Sequence, residues 1–402
     1  MDKFMHRLVE KHLLMKGFSR FFANNMVDWY YEDFFQVKSP LKKKIWAHKR
    51  GFMSYKVDYY HLTEDNFQDF LSDDDYYRMH PINGPFSHWI DDKLTIRYIL
   101  YPFAEYLPGY YYHLYDGEIL RLADCPESYG ASADSLVQLL EEKRILAAKE
   151  MIGSHGLQFY KLVYNGNEYA VNDRVMPKET FLSMLKTWLD SPGSGYLVTE
   201  YLKPCEVFSR IWDQTANTLR LVVIRNKNQS AAVVDSFIRF GTKATGSVES
   251  TTLGGVTCRV NIVDGHFGDA KIFENRKILD CPYHPDTKVF IEGYVPHWDE
   301  ILSKIIEISN YIPHIIYMGY DVVVTDDGFK IIEINSHQGI GFNQSHTPFL
   351  KNDLTKDFFN AQLNRIRQED ENRKSMKAYN RFIRFLKKTK HQLSLLFKKK
   401  RL

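Results

Sequence analysis

Gly319-Tyr320-Asp321-Val322-Val323-Val324-Thr325-Asp326-Asp327-Gly328-Phe329-Lys330-Ile331-Ile332-Glu333-Ile334-Asn335 is the stretch on which the reading of the chain turns. Two β-branched runs flank Asp326-Asp327-Gly328, which has turn chemistry, so the stretch reads as a β-hairpin. A loop from Asp326 to Gly328 pairs Thr325 with Phe329 and sets Asp321 opposite Glu333. Side chains alternate faces along a strand, so Glu333 and Asn335 share one face. Oxygen donors from Asp321, Glu333 and Asn335 then meet at one end of a hairpin otherwise made of Val and Ile. Mg²⁺ takes such a ligand set, with phosphate oxygens and water completing the octahedron. An ordinary surface hairpin with polar ends fits the same residues.

Working outward, the chain has 402 residues, 44% hydrophobic and 26% charged, which suits a globular protein of two or three domains. A formal charge of +3 gives no bulk reason to expect nucleic acid as a partner. Cys125, Cys205, Cys258 and Cys281 are scattered without CxxC or His/Cys ligand spacing, and read as reduced thiols of a cytosolic protein. Met5 to Phe22 is interrupted by His6, Arg7, Glu10, Lys11 and His12, so it is an amphipathic helix rather than a signal peptide. No segment approaches the run of about 18 apolar residues that spans a membrane.

Residues 1–75 read as a helical accessory region, and 76–130 as the first part of the main body. A central lobe over 131–202 carries a glycine loop, a C-terminal lobe over 203–370 carries the hairpin, and 371–402 is a basic amphipathic tail. Asp91 or Asp92 caps a helix that runs through Arg97. Ser132 starts a helix to Lys143, with Leu136, Leu139 and Leu140 on one side. Ile145 to Lys149 and Leu157 to Val163 are strands around Gly153-Ser154-His155-Gly156. A P-loop would need a helix after the glycines and a GKT or GKS, which this segment lacks.

Four elements carry chemistry in this order: Lys149 before a glycine loop, Glu200-Tyr201-Leu202 ending a strand with Glu206 beyond, Arg220 and Arg239 on middle strands, and the hairpin. Each alone has a plain structural reading; the order is that of a nucleoside triphosphate site. It resembles the ATP-grasp superfamily of carboxylate–amine ligases, from Asp92-Lys93-Leu94 to near Pro348. The resemblance implies an α+β fold of two lobes sandwiching ATP, with a helical N-terminal region and a basic helical tail. It places Arg97 on phosphate, where the ligase motif DKLxxK ends in Lys, and Lys149 with Gly153, Ser154 and Gly156 over the phosphates. Glu200, Tyr201 and Leu202 match the adenine hinge, Glu206 the ribose acid, and Glu333-Ile334-Asn335 with Asp321 the Mg²⁺ motif. Gln338 stands where the family motif EINxxPG has Pro.

A narrower resemblance, to the sugar-transfer-associated ATP-grasp family, rests on Lys49-Arg50-Gly51-Phe52, Pro81-Ile82-Asn83, Asn217-Thr218-Leu219-Arg220, Arg239-Phe240-Gly241 and Gly254-Gly255. Glu249-Ser250 replaces the Asp-Asn expected before the double glycine. The implied activity is an ADP-forming ligase that makes an acylphosphate and passes it to an amine. Its substrates would be a sugar acid, nucleotide sugar or glycan and an amine or amino acid, in capsule or surface-polysaccharide assembly. Arg220 and Arg239 are expected on the acceptor carboxylate, and His337, with His346, on substrate. A phosphotransferase acting on a sugar or lipid-linked hydroxyl, and a non-catalytic scaffold for a glycosyltransferase complex, are the alternatives. The tail, with Phe382, Phe385, Leu386, Leu395 and Phe397 among its basic residues, suits either an anionic membrane surface or solvent.

Overall fold

A computed structural model of the chain describes all residues except 1, 2, 17, 19, 81, 152–158, 191, 192, 194, 228, 275, 276, 370, 373–375 and 377–402. The expected glycine loop, Gly153, Ser154, His155 and Gly156, and nearly all of the tail lie outside the described residues. Contacts divide the chain into one unit of residues 1–57, 63–80 and 350–402 and another of 58–62 and 81–349. The segment from 350 onward thus groups with the N-terminal region, whereas the sequence reading kept 350–370 with the hairpin lobe.

The first unit is helical. Helices Lys3–Met15 and Arg20–Tyr31 bury Leu13, Ala23, Met26, Val27 and Tyr30 together. Asp33 is the polar anchor of this unit: it accepts from Ser54 N at 2.8 Å and Ser54 Oγ at 2.9 Å, and pairs with His48 Nε2 at 2.7 Å. Those bonds satisfy a carboxylate that would otherwise be costly to bury.

The second unit holds two antiparallel sheets. The first comprises β1 (Tyr110–Tyr115), β2 (Glu118–Arg121), β3 (Ile145–Glu150), β4 (Phe159–Tyr164), β5 (Tyr169–Val171), β6 (Arg174–Met176) and β7 (Tyr196–Glu200). Their order is β2-β1-β7-β3-β4-β5-β6. Helix Ala133–Lys143 packs on it through Leu136, Val137, Leu139 and Leu140. Ser132 caps that helix by accepting from Ser135 N at 3.1 Å, as the sequence predicts.

The second sheet comprises β8 (Leu219–Ile224), β9 (Ala232–Phe240), β10 (Val256–Val260), β11 (His266–Glu274), β12 (Lys277–Asp280), β13 (Gly293–Tyr294), β14 (Tyr317–Thr325) and β15 (Gly328–Asn335). The order is β12-β11-β10-β9-β8-β14-β15, with β13 beside β11. One face is apolar: Leu219, Leu221, Ile238, Phe240, Met318, Tyr320, Val322 and Val324 pack with Ile301, Ile305 and Ile308 of helix Trp298–Tyr311. Alternation therefore turns Arg220, Phe237, Arg239 and Asp321 to the other face.

The hairpin differs from expectation in its turn. Thr325 pairs with Gly328, not Phe329, so only Asp326 and Asp327 form the loop. Gly328 takes φ +150°, a conformation that favours glycine. The ladder then shifts between Asp321 and Val322, and Asp321 still meets Glu333. This bulge decides the site. Phe329 and Ile331 face the core, and uninterrupted alternation would send Glu333 there too. One extra residue, Ile332, reverses the phase, so that Ile334 is buried with the core and Glu333 and Asn335 turn with Asp321. Among the described residues, no helix is long and apolar enough to cross a membrane.

Candidate active site

A cavity of about 570 Å³ lies between the two sheets of the second unit. Lys149, Glu200, Tyr201 and Leu202 line it from the first sheet and its hinge; Arg220, Arg239, Asp321, Glu333, Asn335 and His337 line it from the second side. The expected residues that the structure describes therefore converge, apart from three. Arg97, Glu206 and His346 are not among the lining residues.

Arg97 is committed elsewhere. Its Nε donates to Asp124 Oδ2 at 2.8 Å and its Nη2 to Asp124 Oδ1. Asp124 also accepts from Tyr110 N at 2.9 Å, so the pair ties the helix Lys93–Ile99 to β1. Lys93 takes the position facing the cavity. Asp92 caps this helix by accepting from Thr95 N at 2.6 Å, which fixes Lys93 at its first position. Lys93 is buried, with Nζ 3.8 Å from Glu333 Oε1. The sequence motif contained Lys93, but only the Arg97–Asp124 pair shows which cation of the motif reaches the cavity.

Glu206 is exposed and pairs with Arg210 at 2.6 Å. Glu200 Oε2 accepts from Gly109 N at 3.1 Å, joining the end of β7 to the segment before β1. Lys149, on β3, donates to Ile332 O at 3.3 Å, the carbonyl of the bulge residue. Burial lowers the Lys149 pKa to about 8; neighbouring Lys93 adds to the depression and Glu333 opposes it.

Asp321 is 4% exposed and held by both arginines. Its Oδ1 accepts from Arg220 Nε and Arg239 Nη2, each at 2.6 Å, and its Oδ2 from Arg220 Nη2 at 2.8 Å. Burial pushes this carboxyl up, but the two guanidiniums together hold it below the ordinary carboxylate range. Arg220 Nη1 also donates to Gln338 Oε1 at 3.3 Å, and Gln338 Nε2 donates to Tyr317 OH at 3.1 Å. Gln338, in the place of the family's Pro, thus fixes the free edge of Arg220. A Cβ on Gly319 would lie 2.4 Å from Gln338 Cβ, so the close approach needs glycine at 319.

Thr218 Oγ1 accepts from Arg239 Nε at 2.9 Å. Glu249, beside Arg239 on the cavity wall, has its pKa raised by burial, against the pull of Arg239 and Thr218. The sequence resemblance includes Thr218 and Glu249 in its motifs but assigns neither a task; the structure sets both beside Arg239 on the cavity wall. Phe237, Phe342, Gln338 and Asn343 line the cavity as well. Asn343 Nδ2 donates to Asp235 Oδ2 at 2.6 Å, and burial pushes the Asp235 carboxyl up to about 7. His346 is not among the lining residues: its Nε2 lies 3.3 Å from Thr257 Oγ1, and burial lowers its pKa to about 3.

Glu333 and Asn335 offer hard oxygen donors on one strand face, and Lys93 and Lys149 stand in the same cavity. That donor set fits a divalent cation carrying a polyphosphate. Among the described residues, no three His, Cys, Asp or Glu side chains converge as a metal site by themselves. Asp321 is engaged by both arginines.

Two antiparallel sheets enclosing a cleft lined by Lys93, Lys149, Asp321, Glu333 and Asn335 define an ATP-grasp α+β fold. The family described as sugar-transfer associated ATP-grasp matches residues 79–356, and the chain belongs to it. No curated protein matches the sequence. Among solved structures, the chain is similar to a D-alanine–D-alanine ligase from Bacillus anthracis at 13% identity and a TM-score of 0.36, over 70% of this chain and 69% of that one. It is similar to a biotin carboxylase from Campylobacter jejuni, solved with β,γ-ATP, at 11% identity and a TM-score of 0.38, over 69% of this chain and 46% of that one. An L-amino acid ligase from Bacillus licheniformis matches at 10% identity and a TM-score of 0.33, over 64% of this chain and 43% of that one.

Proposed function

We propose that the protein is an ATP- and Mg²⁺-dependent ligase that joins a carboxylate to an amine, forming ADP and phosphate. The acid would be a sugar acid, nucleotide sugar or glycan, and the amine a small amine or amino acid, in surface-polysaccharide assembly. The observation that carries the reading is the convergence in one cavity of Lys93 and Lys149 with Glu333 and Asn335, across from the hinge Glu200-Tyr201-Leu202. Lys93 and Lys149 would neutralise phosphate oxygens, the former in the place expected for Arg97. Glu333 and Asn335 would hold the Mg²⁺, whose chemistry is to screen charge between the β- and γ-phosphates. Gly153, Ser154 and Gly156 would cover the phosphates and exclude water from the acylphosphate.

Phe237, Phe342, Gln338 and Asn343 also line the cavity, a combination of aromatic surface and amides suited to a sugar ring and its hydroxyls. His337 also lines the cavity and would contact the acceptor. Work at the inner face of a membrane fits a family associated with sugar transfer.

The phosphotransferase reading has one observation in its favour. Arg220 spends Nε and Nη2 on Asp321 and Nη1 on Gln338, so it is not a ready clamp for an acceptor carboxylate. One experiment separates the two. ADP release is measured over a set of sugar acids and amines, singly and paired, and over neutral sugars. A ligase turns over only with acid and amine together and yields an amide. ADP release with a hydroxyl acceptor alone, and a stable phosphorylated product, overturns the ligase reading.

A further inference from the structure

We propose that Asn83 and Asp91 are positioning residues of the cation site: they clamp Ser336 between them and so hold Asn335 and His337 at the cleft. The proposal rests on the reading of the cleft as an Mg·ATP site. Strand β15 ends at Asn335, whose ladder partner on β14 is Gly319. The chain leaves the sheet at that point, and the residues on either side of the exit, Asn335 and His337, both line the cavity. What fixes Ser336 therefore fixes how its two neighbours are presented.

Asn83, 4% exposed, continues the hydrogen bonding where the ladder stops. Its Oδ1 accepts from Ile316 N at 2.8 Å and Tyr317 N at 3.2 Å, and its Nδ2 donates to Tyr317 O at 2.8 Å and Ser336 O at 2.7 Å. An amide offers two donors and two acceptor lone pairs, so this side chain is fully used. It acts as one more rung between the start of β14 and the residue after β15. Asp91 takes the other polar groups of Ser336: its Oδ1 accepts from Ser336 N at 3.0 Å and its Oδ2 from Ser336 Oγ at 2.8 Å. The carbonyl, N–H and hydroxyl of Ser336 are thus all held by side chains that stand 253 and 245 positions earlier in the chain.

The neighbouring residues show what the clamp serves. Asn335 Nδ2 donates to Gly319 O at 3.4 Å, which leaves the amide oxygen as the donor atom for a cation. Gln338 is bonded to Arg220 and Tyr317, so His337 stands in the chain between two anchored residues. Asp92, next to Asp91, caps the helix that opens with Lys93. Two adjacent aspartates therefore fix two parts of the site, Lys93 through Asp92 and the exit of β15 through Asp91. Groups that orient a metal ligand from behind typically govern about 10- to 100-fold in metal affinity. A tie serving stability alone would not distinguish nucleotide binding with a divalent cation from binding without one.

The test is titration calorimetry of ATP on the full chain, once with Mg²⁺ and once with a chelator, for the wild type, Asn83→Ala, Asp91→Ala and Asp91→Asn. Asn83→Ala and Asp91→Ala should each lower ATP affinity about tenfold or more in Mg²⁺ and by less than about threefold in chelator, where no cation calls on Asn335. Asp91→Asn keeps an acceptor for the Ser336 N–H and should recover most of the affinity in Mg²⁺. The Asp91 side chain is exposed, so its removal strands no buried charge, and it keeps the test readable if Asn83→Ala unfolds. Equal losses with and without Mg²⁺, or an Asp91→Ala variant that binds Mg·ATP as the wild type does, would overturn the proposal and leave the Mg·ATP reading standing. Wild-type ATP binding that ignores Mg²⁺ would overturn that reading and the proposal with it.

Discussion

Replacing Lys93 and Arg97 separately discriminates the sequence motif from the structure. Both are cations of the same helix, four residues apart, and the motif alone favours Arg97. The structure gives them different tasks. Lys93→Ala removes a cation that faces the cavity and stands 3.8 Å from Glu333. A charge-assisted bond to phosphate is worth about 1.5–3 kcal/mol, so Mg·ATP binding should weaken roughly 10- to 150-fold. Its melting temperature should move less than that of Arg97→Ala, whose guanidinium makes two close bonds to Asp124.

Arg97→Ala should do the reverse. It leaves Asp124 with the Tyr110 N–H but without its guanidinium, at a site where the Arg97 side chain is 6% exposed and that of Asp124 27%. Breaking a buried pair costs about 3–5 kcal/mol; the retained N–H places this one near 3. At about 2–4 °C per kcal/mol, the melting temperature should fall by roughly 6–12 °C. ATP affinity, measured by titration calorimetry below the melting transition, should stay within about threefold of wild type. A variant pair with the opposite pattern, Arg97→Ala binding ATP tenfold or more weakly at unchanged stability while Lys93→Ala binds normally, would refute the assignment.

Three further outcomes follow from the same geometry. Glu333→Ala/Asn335→Ala should abolish the difference between ATP binding with Mg²⁺ and with a chelator, measured by calorimetry, and lower Mg·ATP affinity at least about tenfold; retained Mg²⁺ dependence would place the metal elsewhere. Asp321→Ala strands two guanidiniums in the cleft and should cost about 3–5 kcal/mol, or roughly 6–20 °C of melting temperature. The double variant Arg220→Ala/Asp321→Ala should lose clearly less than the sum of the singles, and simple additivity would refute the pairing. Lys149 has a folded pKa of about 8, below its ordinary 10.5, so the folded state releases its proton first. Between those values the unfolded chain binds more protons, and this group's contribution to stability rises with pH. Phosphate binding runs the other way: ATP affinity should fall as pH rises through about 8, the fall should vanish in Lys149→Ala, and Lys149→Arg should keep affinity to higher pH.

The sequence by itself determined the elements whose information is local. Alternation and turn chemistry placed the hairpin, Ser132 and Asp92 marked their helix starts, and Lys149, Glu200, Asp321, Glu333 and Asn335 stood out by order along the chain. These signals survive because strand period and capping depend on neighbours a few residues away. The tertiary structure decided what depends on a partner distant in sequence. Arg97 is drawn from the cavity by Asp124, and Arg220 is claimed by Asp321 and Gln338, over a hundred positions away. Glu333 faces the cleft because a bulge at Ile332, set by pairing with β14, reverses the phase that a regular strand would keep. The residue types were readable from the chain alone; which way each side chain points was settled only by the sheet that pairs it.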